Sequence, residues 1–100
     1  MRIVTDTLIE VTNPAAPTNS EVVTVEHLAN VAVWVSATAI TGTLTVQGSV
    51  DNENFVQVGT FTLSGSAQIL NLPNIGWLWL RVVVPSGTGT VTVKYSGKGV

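Results

Sequence analysis

The chain has 100 residues, of which 45% are hydrophobic and 10% are charged, and its formal net charge is −2. This length and composition indicate one folded domain rather than a disordered chain, and the absence of cysteine excludes a disulfide scaffold or a thiolate metal site. Nucleic acid and membranes are not expected partners, because the four basic residues form no run and no apolar stretch approaches the roughly 20 residues of a membrane helix.

The first 20 residues divide into a β-rich segment and a linker. Residues 2–12 are rich in β-formers, but Leu8 shares a face with Asp6 and Glu10, so the alternation breaks. Residues 13–20 carry two prolines among small polar residues, a composition typical of an extended and semi-rigid path. Two interpretations remain open. Residues 1–20 are either a β segment and long loop of one sandwich or an arm that pairs with a neighbouring subunit's sheet.

Residues 21–100 form the predicted body, and strand-like alternation recurs along it. The cleanest case is residues 43–50, where Leu44 and Val46 lie on one face and Thr45 and Gln47 on the other. The predicted body strands are residues 23–27, 31–36, 43–50, 55–63, 67–72, 77–84 and 90–95. The phase of residues 55–63 is ambiguous, which favours a β-bulge there.

Polar, glycine-rich or proline-containing turns separate these strands, and no stretch shows a capped helical pattern. The clearest turns are residues 51–54, 64–66, 73–76 and 85–89. Short strands with turns every 8–12 residues are typical of sandwiches and jelly rolls. We therefore predict an all-β domain: a single antiparallel β-sandwich, jelly-roll-like, with about eight strands.

Residues 77–84 contain the most informative strand. Leu78, Leu80, Val82 and Val84 occupy one face, whereas Trp77, Trp79, Arg81 and Val83 occupy the other. Charged residues are rarely fully buried without a partner, so the aliphatic face is expected in the core and the tryptophan–arginine face outside. Trp34 follows the same logic, because it alternates with three valines.

Trp34, Trp77, Trp79 and Arg81 are therefore the candidate interface or ligand-platform residues. Three interpretations remain open for them. Trp and Arg are enriched in protein interfaces, which favours contact with other copies or a larger shell. Aromatic rings also offer an apolar platform on which sugar rings stack. Alternatively, the tryptophans fill the ends of the core or stack on Arg81.

Catalytic residues are almost absent. His27 is the single histidine, it is predicted on the Val23/Val25 face, and no serine lies in a nucleophile elbow. Asp51 and Glu53 have a spacing that suits either a calcium site or a solvated turn. We expect no enzymatic activity, no catalytic or metal-binding residues and no cofactor.

Two segments carry a resemblance to a known class of proteins. One is residues 41–49 (TGTLTVQGS), followed by the polar turn, Phe55 and Val58; the other is residues 77–84 with the glycine turn and residues 90–99. They resemble small β-sandwich virion proteins of tailed bacteriophages, including capsid decoration and head- or tail-associated proteins. The sequence departs from that pattern at Asn52, where glycine is frequent, and at Phe55, where tryptophan is.

The resemblance implies a structural role in a virion, first of all as a capsid decoration or cement protein, assembled in the host cytoplasm. The implied partners are further copies of the chain, as a trimer, and the major capsid protein or another virion protein. A carbohydrate-binding module, or a tail- or fibre-associated adhesion domain that contacts a surface glycan, is the alternative.

Overall fold

A computed structural model describes residues 3–25, 28–73 and 75–99. Within these ranges the chain forms nine β-strands: β1 (Ile3–Thr12), β2 (Thr18–Asn19), β3 (Val23–Thr24), β4 (Leu28–Thr38), β5 (Gly42–Ser49), β6 (Val56–Leu63), β7 (Gln68–Leu72), β8 (Trp79–Val84) and β9 (Thr90–Gly99). The same ranges contain no helix long and apolar enough to cross a membrane. The predicted all-β class is confirmed.

The strands form two antiparallel sheets that pack as a sandwich. Sheet A has four strands in the order β1-β9-β4-β7, and sheet B has the order β2-β8-β5-β6, with β3 also paired to β8. Apart from β2 to β3 and the β5–β6 hairpin, each connection passes from one sheet to the other. This interleaved order is that of a jelly roll, as predicted.

The core lies between the sheets and consists mainly of branched aliphatic side chains. Alternate residues of β4 and β9 are buried, with Val33, Val35 and Val93 each 0% exposed. From sheet B, Leu44 and Leu80 are equally inaccessible. Alternation along each strand places the intervening side chains on the outer faces of the two sheets, where the candidate binding residues are found.

Two bulges account for the irregular alternation seen in the sequence. Across β5 and β6 the pairs Val46↔Gly59 and Gln47↔Gln57 leave Val58 as an extra residue, which is the bulge predicted in residues 55–63. A second bulge, between Thr7 and Ile9 of β1, leaves Leu8 as the extra residue. It buries Leu8 while Glu10, two residues later, lies opposite Thr92 and is exposed.

The N-terminal segment lies within the sandwich of its own chain. β1 pairs with β9 along its length, and β2 pairs with Val83 and Val84 of β8. Between β2 and β3, the Ser20 backbone N–H donates to the Val82 carbonyl at 2.8 Å, and the Val82 N–H donates to Ser20 Oγ at 2.9 Å. This arrangement within one chain agrees with the long-loop interpretation. Exchange of residues 1–20 with a neighbouring subunit stays a prediction.

Candidate binding surfaces

The four candidate residues lie in three different places. Trp34 belongs to β4 and lies on the outer face of sheet A, whereas Trp79 and Arg81 belong to β8 and lie on the outer face of sheet B. Trp77 precedes β8 and packs against the core. The four residues therefore do not form one platform, and the outer faces of sheets A and B are two separate candidate surfaces.

Trp77 does not share the outward face of Trp79, so that expectation is wrong. β8 begins only at Trp79, so the strand alternation does not extend back to Trp77. Its ring lies over Gly48, where an added Cβ would come within 2.7 Å of the ring. The missing side chain of Gly48 makes room for the indole, and Trp77 thus fills the end of the core.

The outer face of sheet B carries an ordered cation. The Arg81 Nε donates to Gln47 Oε1 at 2.6 Å, and the guanidinium lies 4.0 Å from the centroid of the Phe55 ring. Arg81 thus stacks on Phe55 rather than on a tryptophan. Trp79 is half-buried and lies opposite Ser49 and Thr24 in the register. This surface combines an indole with a cation held in one position, a combination common in protein interfaces.

The hairpin loop beside this surface is held by Asp51. Its Oδ1 accepts hydrogen bonds from the backbone N–H groups of Glu53 and Asn54 and from Ser49 Oγ, each at 2.9 Å. These hydrogen bonds stabilise the charged carboxylate and hold the pKa of Asp51 far below its usual range, the Asn54 N–H contributing most.

The carboxylate of Asp51 therefore organises the turn, which fits the solvated-turn interpretation of the Asp51–Glu53 pair. Across the described residues, no group of three or more His, Cys, Asp or Glu side chains could hold a metal ion. His27 lies outside the described residues. Val50 and Val56 flank the loop and are 66% and 64% exposed, so apolar surface lies at the base of the loop.

The outer face of sheet A carries a row of side chains across its strands. Trp34 lies opposite Ile69 of β7 on one side and Lys94 of β9 on the other. The Lys94 Nζ lies 5.5 Å from the centroid of the Trp34 ring, and Ile69 is 64% exposed. Trp34 is thus a partly exposed ring with an apolar neighbour and a cationic one.

Two adjoining depressions lie along this row. One, of about 250 Å³, is lined by residues that include Trp34, Ile69 and Lys94. The other, of about 290 Å³, is lined by residues that include Asn71 and Lys98. Ala32 and Ser96 line both, and their small side chains leave the space between the larger ones.

Sequence reasoning singled out Trp34 but missed Lys94, Lys98 and Ile69. Their alternation along β9 and β7 was readable as a pattern of outward positions. Which strands lie beside β4, however, depends on pairing between residues far apart in the chain, and no local signal indicates that order.

Comparisons with known proteins identify the fold and no family. No protein-family model and no curated protein sequence match the chain. Among solved structures, it is similar to the SPBc2 prophage-derived protein YomS, with a TM-score of 0.76 and 17% identity over 96% of this chain and 92% of that one.

The fold is also similar to carbohydrate-binding modules. A family 29 module from Piromyces equi has a TM-score of 0.58 and 12% identity over 94% of this chain and 76% of that one. A family 11 module from Clostridium thermocellum, in complex with a β-1,3-1,4-mixed-linked tetrasaccharide, has a TM-score of 0.53 and 8% identity over 99% and 84%. At these identities the similarity concerns the fold alone.

Proposed function

We propose that this protein is a non-enzymatic structural protein of a bacteriophage particle, and that it decorates the capsid shell through protein–protein contacts. The observation that carries the proposal is the match to the prophage-derived YomS, which extends over nearly the full length of both chains. The phage-type strand and turn pattern of residues 41–58 and 77–99 supports it independently of that match.

The outer face of sheet B is the proposed contact with the shell. Trp79 and the positioned Arg81 supply two of the residue types that most often dominate binding energy in interfaces, and Arg81 is held against Phe55. A protein that binds only the assembled shell stabilises that shell by mass action. The partners are the major capsid protein or another virion protein, together with further copies of this chain.

Co-sedimentation with phage particles tests this proposal. Purified chain is added to particles that lack it, and bound copies are counted after a density gradient. We expect wild type and Trp34→Ala to bind alike and Trp79→Ala to bind much less, because Trp79 lies on the outer face of sheet B and Trp34 on that of sheet A. Failure of the folded wild-type chain to bind would refute the decoration role, and a loss caused by Trp34→Ala alone would move the contact to sheet A.

A second candidate function, saccharide binding on the virion surface, is favoured by the outer face of sheet A. A partly exposed indole that lines one of two adjoining depressions suits a sugar ring, because apolar contact and a few polar groups together fix such ligands. The shared fold with carbohydrate-binding modules agrees with this candidate, and it applies equally to a tail- or fibre-associated adhesion domain. Quenching or a shift of Trp34 fluorescence on addition of a glycan, absent in Trp34→Ala and retained in Trp79→Ala, tests it.

A further inference from the structure

We propose that the outer face of sheet A binds an acidic saccharide, with Trp34 as the stacking ring and Lys94 and Lys98 as the cations that hold its anionic groups. This inference rests on the second candidate function and adds the charge and the minimum length of the ligand. The anionic group is a carboxylate or a phosphate carried on a sugar chain.

The distribution of charge is the first argument. The chain has only four lysines and arginines and a net charge of −2, yet Lys94 and Lys98 line the two adjoining depressions. The described acidic residues of sheet A, Asp6 and Glu10, belong to the edge strand β1 and line neither depression. A groove lined by one sign of charge raises the local concentration of ligands of the opposite sign.

The spacing of the cations is the second argument. Lys94 and Lys98 are both exposed, on the same face of β9 and four residues apart, which corresponds to about 13 Å along a strand. A single sugar reaches one of them, whereas an oligosaccharide with repeated anionic groups reaches both. The groove therefore favours an acidic oligosaccharide over an acidic monosaccharide.

The position of the ring is the third argument. Trp34 lies directly opposite Lys94 in the register, so a sugar whose anionic group contacts Lys94 has its ring beside the indole. The exposed Lys94–Trp34 contact, at 5.5 Å, is weak enough for the flexible lysine to leave the ring when a sugar stacks there. Asn71 lines the adjoining depression and Ser96 lines both, and they offer an amide and a hydroxyl to the sugar hydroxyls.

Calorimetric titration with three probes tests the inference: an oligogalacturonate, a phosphorylated oligomannose and a neutral cello-oligosaccharide. We expect at least one anionic probe to bind about tenfold or more tightly than the neutral one, and its affinity to fall as salt screens the exposed lysines. Trp34→Ala, Lys94→Gln and Lys98→Gln should each weaken that binding, by about tenfold for the tryptophan. The matched controls on sheet B, Trp79→Ala and Arg81→Gln, should bind like wild type.

Each outcome separates the two levels of the proposal. Binding to the carboxylated or the phosphorylated probe supports the inference and identifies the anionic group. Equal, salt-insensitive binding to the neutral probe would overturn the acidic ligand while leaving saccharide binding intact. No binding to any probe, or binding lost only in the sheet B variants, would overturn the site itself.

Discussion

Ser20→Ala is expected to destabilise the sandwich through a single hydrogen bond. The Ser20 hydroxyl takes the place of a backbone acceptor between β2 and β3, where it receives the N–H of Val82 at 2.9 Å. Ser20 is 7% exposed and Val82 is 0% exposed, so water does not replace the missing oxygen in the variant. A buried N–H left without an acceptor costs about 1–3 kcal/mol.

The loss is measured by urea denaturation and by thermal melting. For a domain of this size, the expected change in unfolding free energy lowers Tm by roughly 4–24 °C. Ser64→Ala is the matched control, because Ser64 is exposed in the loop between β6 and β7 and such changes usually stay within about 0.5 kcal/mol. If Ser20→Ala were as stable as Ser64→Ala, the pairing of residues 18–24 with β8 would be wrong.

Four further outcomes are expected. Gly89→Ala should lower the free energy of unfolding by more than about 2 kcal/mol, because the φ of Gly89 is 136° and an added Cβ would collide with the backbone of residues 38–40. Gly65→Ala should lower it less in the same urea titration, because Gly65 has a φ of 81° and open space around it. The pKa of Asp51 is lowered in the folded chain, so the ionised carboxylate stabilises the fold fully above its ordinary pKa of 3.8 and less as pH falls below it. Acid should therefore lower Tm more for wild type than for Asp51→Asn. Trp77→Ala should lower Tm more than Trp79→Ala, since only Trp77 packs against the core, and the reverse order would contradict that placement. Light scattering across a range of concentrations should give the mass of a trimer, and a strict monomer would contradict the proposed self-association.

Local alternation identified most of the buried faces. The valines of residues 31–35 and the aliphatic residues of β8 were predicted in the core and are buried there, because the period of two in a half-buried strand is directly readable. A bulge within residues 55–63 was also predicted from the ambiguous phase of that segment, and the strand register places it at Val58.

Local sequence patterns could not predict how the candidate residues are placed relative to one another. Trp34 and Trp79 both alternate with core residues, but strand order places them on opposite outer faces of the sandwich, and strand order is a property of long-range pairing. β2 was missed because its two residues follow prolines typical of a linker, and tertiary pairing with β8 overrides that preference. Trp77 was misplaced because the strand begins two residues later than the apolar run.

Quantitative mass spectrometry of washed phage particles, from a strain that carries the gene for this chain, tests the decoration role most directly. We expect the chain in a constant ratio to the major capsid protein, retained through a density gradient. Its absence from particles that keep their other structural proteins, in a lysate where the chain is expressed, would refute the decoration role.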